Sequence, residues 1–206
     1  MIKTKFIFIM LMGVLLISGC ASTGGHVASG IYTSPHGNFT VPLPKMGLGA
    51  RVQEKKFETS GFVSFHDDFG TLKRIDYSAL PANANVVYRD LIHNVVLPDM
   101  QSRFPGSKLL HEEAINNPEK QGYFFVLKIP QGSPLVDMKT GKGMDSTRGY
   151  LYFTSQGYIY SLSMQKGGLS DLLAGKKKVK SVTPKSFDDI LNSLQKFKKT
   201  IHIRDL

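Results

Sequence analysis

A chain of 206 residues with 41% hydrophobic and 20% charged side chains has the make-up of a packed globular domain and is far from that of a disordered polymer. Its length suffices for one domain with a sizeable core and is short for two. A formal net charge of +10 turns attention to anionic surroundings, and a single cysteine excludes a disulfide within the chain.

Lys3 and Lys5 open the chain, and Phe6 to Ile17 follow as an unbroken apolar run of twelve residues. At about 1.5 Å per residue such a run reaches about 18 Å as a helix, short of a ~30 Å hydrocarbon core. It has the parts of a secretory signal peptide: a basic start, a short apolar stretch and small residues after it. Ile17-Ser18-Gly19-Cys20 resembles the lipobox of bacterial lipoproteins. That resemblance implies cleavage of residues 1–19, diacylation of the Cys20 thiol and acylation of the new amino group. Two or three acyl chains, at about 0.8 kcal/mol per buried methylene, give a lasting membrane anchor. Cys20 is then a lipid attachment point and not a nucleophile or metal ligand. Cleavage removes two lysines from a chain of net charge +10 and leaves +8. Ala21 is not the aspartate that in such lipoproteins goes with inner-membrane retention, so an outer membrane, facing the periplasm, is favoured if the source has two membranes.

Residues 20–30 are small and Gly/Ser-rich, which predicts a flexible lipidated tether, with a single globular domain from residue 31 to 206. In that domain Phe39, Val41 and Leu43 alternate with Asn38 and Thr40; Val63 pairs with Phe65, and Ile75 with Tyr77 and Ala79. This period of two predicts strands, with a weaker, charged one over residues 51–57. The period then changes. Tyr88, Leu91, Ile92 and Val95 recur at helical spacing, with Asn83 or Asn85 as the N-cap, and Pro98 predicts an end or kink near Leu97. Strands return over residues 108–115 and 122–130, the latter apolar on both faces. Residues 148–165 predict a hairpin turning at Ser155-Gln156-Gly157. The last element is a helix that aligns Phe187, Ile190, Leu191, Leu194, Phe197 and Ile201, opened by a capping box of Ser186 and Asp189.

Strands, helix, strands, helix, without regular βαβ alternation, predict an α+β domain: a mostly antiparallel sheet flanked by two main helices. On "YTSPHGNFTVPLP", "LIHNVVLP", the sheet pair from Gly122 to Gln165 and the terminal helix, the chain resembles the Mog1/PsbP-like group of α/β domains. The resemblance implies an α/β/α sandwich and an accessory or binding role, and carries no site residue with it.

No catalytic motif is complete. His111-Glu112-Glu113 lacks a second histidine at position 115, and Gly47-Leu48-Gly49-Ala50 lacks the third glycine of a dinucleotide loop. No cofactor is expected. His66-Asp67-Asp68, with His93 or His111, is the one constellation offering a base or cation ligands, hence an alternative as a hydrolase or metal-dependent enzyme. A polar strand end turning through Asp68 to Gly70 accounts for it equally simply. Residues 166–206 hold ten Lys/Arg against four Asp/Glu, whereas residues 20–165 hold fourteen against twelve. Lys176, Lys177, Lys178, Lys180 and Lys185 form the centre of this charge, a candidate anion or partner surface or else a solvated loop. Export argues against nucleic acid; phospholipid headgroups, anionic envelope polymers or an envelope protein are the expected partners. Tyr150, Tyr152, Tyr158 and Tyr160 are a second candidate surface, or rings lying under a covering helix. The expected function is that of a lipid-anchored, non-enzymatic accessory protein of the cell envelope.

Overall fold

The computed structural model describes residues 24–116, 121–133, 136, 141–165 and 184–204. The leader, Cys20, Lys176, Lys177, Lys178 and Lys180 lie outside the described residues, as does the side chain of Lys185.

Strands β1 (His26–Ala28), β2 (Ile31–Thr33), β3 (Phe39–Pro42) and the last strand, β11 (His202–Ile203), form a small antiparallel sheet in the order β1-β2-β3-β11. Residues 26–28 therefore do not belong to a flexible tether. Ser29 and Gly30, at φ of 50° and 76°, supply the two left-handed residues of a hairpin turn whose twist suits the strands. The small residues there serve the turn, and the Gly25 N–H donates to Glu54 Oε1 at 2.8 Å.

The main sheet has seven antiparallel strands: β4 (Arg51–Lys56), β5 (Ser60–His66), β6 (Leu72–Ala79), β7 (Lys108–Ile115), β8 (Gly122–Ile129), β9 (Ser146–Ser155) and β10 (Tyr158–Gln165), in the order β4-β5-β6-β10-β9-β8-β7. β4 is an edge strand whose six residues are all exposed, and its charges blunt that edge against further pairing. The β9–β10 hairpin turns at Gln156 and Gly157, with φ of 47° and 71°. The turn falls within the expected Ser155-Gln156-Gly157, with Ser155 still the last residue of β9.

β8 shows how the sheet divides the core. Phe124 and Val126 join Val63, Phe65, Ile75, Leu162 and Phe153 in one apolar cluster; Tyr123, Phe125, Leu127 and Ile129 join a second with Tyr150. The terminal helix packs into the first cluster through Phe187, Ile190, Leu191, Leu194 and Phe197, together with Tyr32, Phe39 and Val41 of the small sheet. Gly149 lies beneath that helix, where a Cβ would come 2.2 Å from Ile190 Cγ2. Only glycine admits so close an approach of helix to sheet.

The other cluster is closed by a continuous helical segment: α1 (Tyr88–Leu91), a π-helical turn (Ile92–Val96) and α2 (Leu97–Arg103). Of the end or kink expected near Leu97, there is no end, and the helix is irregular at that point. The helix widens just ahead of Pro98, with the Leu97 N–H reaching back to the Ile92 carbonyl. Widening moves the Asn94 carbonyl away from the proline ring, which in a regular helix would collide with it. The turn also rotates the apolar face. Val96 and Leu97 pack inward with Ile92 and Met100, and Val95, expected on the buried stripe, is 57% exposed. Val87, without a side-chain hydrogen bond, occupies the N-cap in place of Asn83 or Asn85. The terminal helix, α3 (Pro184–Lys199), starts with Pro184 in its first turn, a position where the missing N–H costs nothing. Ser186 is thus already inside the helix.

Candidate functional site

Cross-strand register fixes which residues share the α1–α2 side of the main sheet. Across β4, β5, β6, β10 and β9 one row reads Arg51, His66, Leu72, Gln165 and Arg148; the next reads Gln53, Ser64, Arg74, Ser163 and Tyr150; a third, Lys55, Phe62, Asp76, Ser161 and Tyr152. α1 and α2 pack over the aromatic end of these rows, on β8 and β9. Beside them the face is polar, and it carries two cavities of about 430 and 490 Å³. Arg103 lines the first, and its neighbour Phe104 the second.

The first cavity is built on a locked guanidinium. Arg74 Nε donates to both Asp76 oxygens at 2.9 Å, Nη2 donates to Oδ1 at 2.5 Å, and the guanidinium carbon lies 3.7 Å from the centre of the Phe62 ring. Carboxylate and ring together hold it flat, as a planar fork requires. Tyr152 lines the same cavity; burial pushes its phenol up to about 12, so it remains a protonated donor. Arg103, which lines this cavity too, is ion-paired with Asp99 one turn earlier in α2.

The second cavity lies at the opposite ends of the same strands. Arg148 donates to Gln165 Oε1 from Nε at 3.4 Å and Nη2 at 3.0 Å, and Gln165 Nε2 donates to the Gly70 carbonyl at 3.2 Å. Gln165 is buried. Its bond to Gly70 orients the amide so that the oxygen faces the guanidinium.

His66, Asp67 and Asp68 do not converge. Asp67 Oδ2 accepts the Gly47 N–H at 2.8 Å and Oδ1 accepts those of Phe69 and Thr71 at 3.0 and 2.9 Å. Burial disfavours its charge, but the N–H groups of Gly47, Thr71 and Phe69 and the Thr71 hydroxyl outweigh it and hold the carboxyl below its ordinary value. Asp68 pairs with Arg51 at 2.6 Å on the exposed side. The cluster is the strand-end turn. His93 bonds Glu112 at 2.7 Å, and Tyr123 donates to the same carboxylate oxygen at 2.6 Å; His111 stacks on Phe187, ring centres 4.7 Å apart. β5, which carries His66, and β7, which carries His111, are five strand steps apart, about 24 Å at ~4.8 Å per step. No group of three His, Cys, Asp or Glu among the described residues is placed to hold a metal ion.

The four tyrosines do not make one surface either. Tyr150 and Tyr152 face the α1–α2 side, where Tyr150 stacks on Phe125 at 4.8 Å; Tyr158 and Tyr160 face α3, where Tyr160 stacks on Phe153 at 5.3 Å. Tyr150 and Tyr160 are buried. Asn38 donates to the Tyr160 hydroxyl at 3.2 Å, and burial pushes that phenol up to about 12. Arg74, Arg148, Gln165 and Phe62 are the residues that sequence reasoning missed. Their signal was present as the polar half of each strand's alternation, Ser64 and His66 around Phe65, Arg74 and Asp76 around Ile75, Ser161 and Ser163 around Leu162.

No family model matches the chain, and no curated protein does. Among solved structures the chain is similar to the cyanobacterial PsbP of Synechocystis, at 12% identity over 92% of this chain and 99% of that one, with a TM-score of 0.46. It is similar to the Ran-binding protein Mog1p of Saccharomyces cerevisiae, at 10% identity over 87% and 95%, with a TM-score of 0.44. A Pseudomonas aeruginosa protein of unknown function matches at 11% identity over 80% and 90%, with a TM-score of 0.40. Neighbours of both names that the sequence resembles are thus among the solved structures to which this chain is similar.

Proposed function

We propose that this protein is a lipid-anchored accessory protein of the bacterial cell envelope that binds a partner without chemically altering it, and that the polar half of its main sheet is the binding face. The observation that carries the binding role is the two-sided character of β5, β6 and β10. Their α3 side is apolar core, while their other side presents Phe62, Arg74 and Asp76, with Arg148 on the adjoining β9, around two cavities. Ordered guanidinium groups and aromatic edges suit recognition of polar groups on a partner. The wide separation of His66 from His111 favours binding over the hydrolytic or metal-dependent alternative.

The anchor half of the proposal rests on Ile17-Ser18-Gly19-Cys20 at the end of the apolar run. Acyl chains on Cys20 hold the domain at a membrane, outer and periplasm-facing in a two-membrane cell, and the lysines at 176, 177, 178, 180 and 185 add attraction to anionic headgroups, about 1 kcal/mol for each one near the surface. The packing of helices against both faces of the seven-stranded sheet supports reading the domain as an α/β/α sandwich of the Mog1/PsbP-like kind.

The test is intact-mass analysis of the protein from bacterial membranes, with fractionation of a Cys20→Ser variant. A processed chain carrying two or three acyl groups, and a variant lost from the membrane fraction, are the expected results. An unmodified thiol at Cys20, or a variant that partitions like its parent, overturns the anchor.

A further inference from the structure

We infer that the cavity at the Arg148 end of the polar face is a binding site for a small ligand bearing an oxyanion, a carboxylate or a phosphate, which docks on the Arg148 guanidinium. This deepens the binding role proposed above by naming the chemistry that one part of that face recognises.

Charge is the first ground. The cavity of about 490 Å³ is lined by Arg51, His66 and Arg148, and Asp67 is the acid among its described lining residues. Asp67 is already spent: both its oxygens accept backbone N–H groups of its own loop. Arg51 is ion-paired with Asp68. Arg148 is therefore the cation of this lining without an acid partner among the described residues, and the cavity's volume suits a small molecule.

The partner of Arg148 is the second ground. A guanidinium has five N–H donors and pairs best with an oxyanion, bidentately. Here its side-chain acceptor is the amide oxygen of Gln165, a neutral group, and the Tyr150 hydroxyl alongside it is also neutral, because burial pushes that phenol up. No described acid forms an ion pair with Arg148. Holding a half-buried cation on neutral acceptors leaves its charge uncompensated, an arrangement that favours an incoming anion. A glutamate at position 165 would close an internal ion pair across the same β9–β10 rung; the chain has glutamine. Gln165, pinned to the Gly70 carbonyl, orients the guanidinium without neutralising it.

The test is calorimetric titration of the purified full chain, acylated or not, with inorganic phosphate and, separately, with succinate. Saturable binding of at least one is expected, and the tighter of the two identifies the oxyanion class. Arg148→Gln weakens it at least tenfold, and so does Gln165→Glu, which supplies the missing internal carboxylate while keeping or raising the melting temperature. Lys108→Gln, which removes one positive charge on β7 outside both cavities, leaves it unchanged. Absence of saturable binding by either anion, or binding unaltered in both the Arg148→Gln and Gln165→Glu variants, overturns the site. The titration does not depend on acylation of Cys20, so its failure is distinguishable from failure of the anchor.

Discussion

Asp67 shows how the same residue types serve a turn or a catalytic centre. A carboxylate beside a histidine and a second carboxylate satisfies the composition of a hydrolytic or metal site, but geometry decides, and here both oxygens are consumed by the N–H groups of Gly47, Phe69 and Thr71. Hydrogen bonds to a charged acceptor contribute about 1.5–3 kcal/mol each where burial excludes water, and Asp67 is 5% exposed. Its loop nevertheless retains alternative solvation when the carboxylate is lost, so Asp67→Ala is expected to cost about 2–3 kcal/mol at pH 7. The pH dependence follows from the depressed folded-state pKa. Stability from Asp67 is fully present above the unfolded value, ~3.9, and is lost as the pH falls through the lower folded value. Urea unfolding at pH 7 and at pH 3 should therefore show a smaller penalty for Asp67→Ala in acid. An equal penalty at both would mean that the charge contributes nothing.

At the scale of elements, the strands were legible because each one alternates, and β8 even announced its two covered faces through Tyr123 and Phe125 on one side and Phe124 and Val126 on the other. The helix was legible in existence but not in phase. A period of 3.6 puts Val95 on the buried stripe, and nothing local in the sequence specifies that the turn before Pro98 takes an extra residue. The consequence is measurable. Val95→Asp is expected within about 0.5 kcal/mol of the parent, as for an exposed site, while Val96→Asp costs about 1–3 kcal/mol by burying a carboxylate beside Ile92 and Leu97. Denaturant midpoints of the two variants decide it; the opposite order would restore a regular helix. The binding face was hidden for a different reason. Arg148, Gln165 and Gly70 stand in one hydrogen-bonded chain, yet β6 and β10 are separated in sequence by the whole of α1, α2, β7, β8 and β9. Alternation marks which side chains share a face of one strand, and only the strand order tells which strands are neighbours.

At the scale of the whole molecule, the two ends of the domain hold each other. β11, which follows α3, pairs His202 with Thr40 and Ile203 with Phe39, so the chain's last strand completes the sheet begun by β1 and β2. That small sheet reaches the main one through Tyr32, whose ring meets Phe65 edge-on at 6.1 Å and whose hydroxyl donates to Glu54 Oε2 at 2.5 Å. Glu54 Oε1 takes the Gly25 N–H, which ties the residues ahead of β1 to the edge strand β4. A flexible tether ending at residue 30 would make residues 24–30 dispensable; a folded hairpin makes them part of the stability of this corner. β1 is exposed along its length, so little apolar burial is at stake and the loss is confined to a few backbone hydrogen bonds and the Gly25 contact. A chain beginning at Ile31 is accordingly expected to be about 1–2 kcal/mol less stable than one beginning at Gly24. For a domain of this size that lowers the melting temperature by roughly 2–8 °C. Thermal unfolding of the two chains measures it, and coincident melting curves would return residues 24–30 to the tether.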